Sequence, residues 1–155
     1  MEMKIKPTAA DIIMEALSLL LLAGTSAGLF FYWPSIPDKV PMHYNFAGEI
    51  DRWGGKGEII FLLMIAWGIY LLITVTERFP RIWNTGVKVT PENRERVYRT
   101  LKYMIKTMKL IIAVIFTYLI LHTLSGKNLP GWFTFAFLGL IFGDMIFWLV
   151  KLYRK

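Results

Sequence analysis

The chain has 155 residues, 55% of them hydrophobic and 19% charged, and it carries no cysteine. A soluble domain averages about 45–50% apolar and about 25% charged residues, and here the apolar excess is clustered: residues 16–33, 59–76 and 110–126 lack any charge, and residues 129–150 contain only Asp144. Four such runs exclude a soluble globule and a disordered chain, and the missing cysteines exclude a disulfide-built scaffold.

A helix rises 1.5 Å per residue, so a run of 18 residues reaches about 27 Å, close to the roughly 30 Å of bilayer hydrocarbon. The expected fold is therefore all-α: a four-helix transmembrane bundle forming a single integral membrane domain over residues 1–155. The spans fall near 11–33, 58–77, 107–126 and 130–151, with an outer loop at 34–57 and a cytoplasmic loop at 78–106.

The net charge of +7 is unevenly placed. Lys4 and Lys6 precede the first span, and Arg78, Arg81, Lys88, Arg94, Arg96, Arg99, Lys102, Lys106 and Lys109 lie between the second and third. Lys151, Arg154 and Lys155 close the chain, whereas the first loop sets Lys39, Arg52 and Lys56 against Asp38, Glu49, Asp51 and Glu58. Cationic loops stay on the cytoplasmic side. This predicts a cell-membrane protein with both termini cytoplasmic, whose basic charge serves orientation and contact with lipid rather than nucleic acid.

In chain order, Thr8 and Asp11 fit a capping box that opens the first helix, and Pro34 stops it after an aromatic belt at Tyr32 and Trp33. The stretch is too long and its end too bulky for a removable signal peptide. Gly24 and Gly28 form a small-residue seam, and Gly139 and Gly143 form another in the fourth span. One seam on each helix predicts that the first and fourth helices pack together.

In the outer loop, Pro34, Pro37, Pro41, Gly48, Gly54, Gly55 and Gly57 oppose a helix or a long strand. Tyr44, Phe46 and Trp53 favour order, and the loop is expected to lie on the outer face of the bundle. Thr90 and Pro91 read as the cap and first position of another helix. Along it Val97, Leu101, Met104, Met108 and Ile112 share a face, while Arg94, Arg96, Arg99, Lys102 and Lys106 fill the rest. Glu92–Arg96 and Glu95–Arg99 are spaced as ion pairs. This predicts a cytoplasmic helix that extends the third span without a break, its basic half resting on lipid or recruiting a cytoplasmic protein partner. Most tryptophans and tyrosines fall at span ends, as an interfacial belt does.

The outer loop holds the densest polar set. His43 with Glu49 and Asp51 can bind a metal ion or do acid–base work, provided His122 lies close. The same side chains can instead tie the loop to itself, or contact an extracellular peptide or small ligand. Glu15 and Asp144 are the carboxylates nearest to lipid depth, and on opposed helices they could share a proton or cation, as a carrier requires. Snorkelling, or pairing with Lys151 or with the basic stretch 94–109, is the reading preferred to that one. Neither a complete catalytic set, nor a full set of metal ligands, nor a cofactor motif is recognisable, and the oligomeric state is open.

Two motifs resemble a known family. Ile36-Pro37-Asp38-Lys39-Val40-Pro41-Met42-His43-Tyr44-Asn45, followed by Gly48, Asp51 and Gly54, is the first. Trp83-Asn84, then Val87-Lys88-Val89-Thr90-Pro91-Glu92-Asn93 with Arg96 and Tyr98, is the second. Together they are similar to small bacterial and archaeal membrane proteins of unknown function, whose domain also supplies the N-terminal half of SdpI-type immunity proteins. That resemblance implies a binding or signalling role of the toxin-immunity kind, with Pro41, His43, Asn45, Gly48 and Asp51 as loop-motif residues. The chain as given lacks the further C-terminal helices of those immunity proteins.

Overall fold

The computed structural model describes residues 5–154, so Lys4 and Lys155 lie outside it. The fold is mostly helical: α1 (Ala9–Tyr32), α2 (Glu58–Glu77), α3 (Arg94–Thr123) and α4 (Phe133–Tyr153), all four long and apolar enough to cross a bilayer. Between α1 and α2 lies a two-stranded antiparallel hairpin, β1 (Lys39–Tyr44) and β2 (Ile50–Gly55). The hairpin corrects the all-α expectation. Proline is tolerated in an edge strand, and the glycines sit at the turn and at the far end of β2, so neither breaks the short ladder.

Local chemistry sets the helix ends. Thr8 and Asp11 close the expected capping box: the Thr8 amide donates to Asp11 Oδ2 at 2.8 Å, and the Asp11 amide to Thr8 Oγ1 at 3.2 Å. The start of α3 differs from expectation. Residues 91–93 form a turn and the helix begins at Arg94, because Asn93 Oδ1 accepts from the Thr90 amide at 2.8 Å and folds the entry back. Glu95 pairs with Arg99 at 3.2 Å as the spacing predicts. Arg96 instead caps the end of α4, donating to the carbonyls of Leu152 (3.1 Å) and Arg154 (2.8 Å).

The main packing runs through α3, which lies against α1, α2 and α4 in turn. The expected seam between α1 and α4 is not formed within the chain: a Cβ built on Gly24, Gly28, Gly139 or Gly143 would meet nothing within 4 Å. Three clusters make the core. Leu29, Ile36, Val40, Ile59 and Ile120 lie at the hairpin end, Leu22, Ala66, Tyr70 and Ala113 mid-bundle, and Trp83, Val97, Leu101 and Leu152 at the end that holds the termini.

The outside is apolar. Leu20, Phe31, Leu72, Phe135 and Ile146 are exposed, as lipid-facing side chains are. Trp67 and Trp148 depart from the interfacial-belt pattern, each turning its indole N–H inward, to Ser26 Oγ at 3.0 Å and to Thr107 Oγ1 at 2.9 Å.

Candidate functional site

The hairpin is fixed over the ends of α3 and α4 by backbone acceptors rather than by apolar packing alone. Thr123, in the last turn of α3, donates to the Pro41 carbonyl at 3.0 Å, and Thr134 to the Phe46 carbonyl at 3.0 Å. From the connection that follows α3, Asn128 Oδ1 accepts from the Ile50 amide at 2.9 Å and the Leu129 amide donates to the Gly48 carbonyl at 2.8 Å. Within the hairpin turn, Asn45 and Glu49 bond reciprocally, amide to carbonyl and side chain to side chain. Gly48 takes φ +86°, and a Cβ there would sit 2.8 Å from the Leu129 carbonyl oxygen. Only glycine meets both demands.

The strand register is irregular on either side of His43, which pairs with Arg52. Such bulges re-aim a side chain. The imidazole Nδ1 lies 2.6 Å from Asp51 Oδ1, with both groups at the surface, which leaves Nε2 for a ligand. Arg52 and Glu58 pair at 2.8 Å, and Lys56 and Asp38 at 3.1 Å, bracing the base of the hairpin.

Below His43 opens a cleft of about 460 Å³, walled by Met42, Tyr44, Leu62, Leu119, Phe133 and Phe137. An aromatic stack leads away from its wall: Phe137 to Phe133 (6.4 Å), both lining the cleft, then Phe133 to Tyr118 (5.0 Å) and Tyr118 to His122 (5.5 Å). Burial pushes the Tyr44 phenol up from its ordinary pKa of 10.0, since removal from water disfavours the charged form. His122 is engaged elsewhere: its Nε2 meets the carbonyl oxygens of Lys127 and Asn128 at 3.2 and 3.1 Å. The two histidines thus do not combine, and no group of three or more metal-ligating side chains occurs among the described residues.

Glu15 and Asp144 do not combine either. Asp144 Oδ1 accepts from the Trp148 indole at 3.0 Å on its own helix. Glu15 meets Lys106, lies 2.6 Å from Lys109, and accepts from the Tyr70 hydroxyl at 2.5 Å. Glu77 joins this group at 3.0 Å from Lys106 and 3.1 Å from Lys109, and Asp11 pairs with Lys102 at 2.9 Å. Lys102 and Lys106, read from sequence as outward-facing, are instead largely buried, as is Lys109. The signal was present: Lys102, Lys106 and Lys109 share one face of α3, and Asp11 and Glu15 share one face of α1.

Residues 19–72 match the family model described as a domain of unknown function, DUF1648. The match takes in most of α1, the whole hairpin and most of α2. No curated protein and no solved structure matches the chain. The chain is thus a multi-pass membrane protein by its four long apolar helices, and its segment similar to DUF1648 takes in the hairpin and most of two of them.

Proposed function

We propose that this protein binds an amphipathic ligand at its hairpin end. An apolar segment of the ligand enters the cleft between the hairpin, α3 and α4, and a polar group meets the His43–Asp51 pair at the rim. The carrying observation is that pairing of an oriented imidazole–carboxylate dyad with an adjacent cleft of apolar and aromatic walls. Such a combination is the usual build of a ligand site.

Lipid tails are as apolar as the cleft, so burial from the bilayer gives a ligand little net gain. Selectivity therefore rests with shape and with His43 and Asp51. The ligand class that fits is a peptide with an apolar stretch, as the likeness to immunity proteins implies. With the basic end of the molecule inside the cell, the hairpin faces outward and meets a secreted peptide. The helix α3 then carries the event inward, because its 30 residues join Thr123 beneath the hairpin to Arg94 at the basic end without a break.

The test uses purified protein in lipid nanodiscs and a leucine-rich peptide carrying a photoactivatable diazirine, with cross-links mapped by mass spectrometry. Labels should concentrate on Leu119, Phe133 and Phe137, and H43A or D51N should weaken capture about three- to tenfold, the scale of one hydrogen bond. Equal labelling of the outward-facing Phe31 and Leu72 would contradict the reading.

A further inference from the structure

At the opposite end of the bundle, a second cleft of about 510 Å³ opens between α1 and α2. Its polar lining comes from Asp11, Glu15, Glu77, Lys102, Lys106 and Arg78, and its apolar wall from Ile12, Ala16 and Leu19. The three acids and three lysines of the cluster balance one another. Two of the carboxylate oxygens, however, are left without a donor: Asp11 Oδ1 and Glu77 Oε1. The Asp11 side chain is 4% exposed and that of Glu77 10%. An orphaned acceptor in such surroundings is costly.

From these groups we infer that the cleft binds the headgroup of a zwitterionic phospholipid with a primary amine, of the phosphoethanolamine class. A primary ammonium offers three N–H donors, which suits two acceptors on side chains that line the cleft, once each carboxylate turns its unpaired oxygen outward to meet it. Arg78 stands exposed at the end of α2, on the same cleft, and matches a phosphate. Lys102 has spare donor capacity beyond its single carboxylate partner, Asp11.

Charge bookkeeping selects the zwitterion. An anionic lipid leaves the two orphan oxygens unpaired, and a lone cation does nothing for Arg78. A quaternary choline cannot donate at all. Depth agrees: Asp11 lies in the first turn of α1 and Glu77 is the last residue of α2, so both stand at headgroup level. The acyl chains would run along Ile12 and Leu19, which are 62% and 45% exposed.

The experiment reconstitutes the full chain with phosphatidylethanolamine, phosphatidylcholine or phosphatidylglycerol, and reads retained lipid by native mass spectrometry and melting temperature in each. Phosphatidylethanolamine should be retained best and stabilise most. R78Q, a change at an exposed side chain, should weaken its retention about tenfold, the scale of one lost charge-assisted contact. I12W, which fills the mouth of the cleft, should do the same without lowering the melting temperature in detergent. Equal retention of the choline lipid, preference for the glycerol lipid, or indifference to R78Q would overturn the inference. Protection by water-soluble phosphoethanolamine at the same concentration would overturn its assignment to a membrane lipid.

Discussion

Gly48 joins backbone conformation to the integrity of the candidate site. Its φ of +86° belongs to a region that costs a side-chain-bearing residue about 1–3 kcal/mol. A methyl group would also press on the Leu129 carbonyl at 2.8 Å and Cβ at 3.1 Å, where the hairpin meets the connection between α3 and α4. We expect G48A to lower the melting temperature and to open residues 44–50 to protease, with the four helices retained by circular dichroism. An unchanged melting temperature would show that the hairpin is not held there. The loop-motif residues Pro41, His43, Asn45, Gly48 and Asp51 stood out in the sequence because polar and turn-forming types cluster there. Their local bonding was less legible, since the bulges beside His43 depend on how the strands pair.

At the scale of elements, α3 is the axis. Its lysines fill the space between α1 and α2 that apolar side chains would otherwise take. Lys109 is 1% exposed and is held by Glu15, Glu77 and Thr74, with its ammonium 4.7 Å from the Tyr70 ring centre. Removing one member of such a group strands the others, at about 3–5 kcal/mol. We expect K109M to lower stability by that order, and E77Q added to K109M to cost less than the two changes summed, as measured by thermal unfolding in one detergent. Additive losses would show that the residues do not act as a group. Four helices long and apolar enough to cross a bilayer were legible in the sequence, because run length against bilayer thickness is a one-dimensional question. The sequence foresees the pairing of Glu15 with the basic stretch, met at Lys106 and Lys109, but puts Lys102 and Lys106 on the outward face, because a basic residue on an amphipathic helix reads as solvated until its carboxylate partners on other helices are known. The hairpin was missed for a related reason: prolines and glycines oppose long strands, but here they fall at an edge or a turn.

For the whole molecule, the architecture is one central helix with three others packed on it, and an apolar exterior. Within the apolar stretch of α4 that is long enough to cross a bilayer no residue is buried, and this helix packs chiefly on α3. The hairpin and the basic loop occupy opposite ends of the bundle, and the proposed recognition of a secreted ligand requires that the hairpin end face outward. Because the chain has no cysteine, single thiols can be placed without background. Lys39 at the start of β1 and Arg81 in the turn after α2 are both exposed and serve as reporters of the two ends. With a membrane-impermeant maleimide on intact cells, K39C should label at once and R81C only after the membrane is permeabilised. Labelling of R81C on intact cells, with K39C protected, would place the hairpin inside and contradict the account.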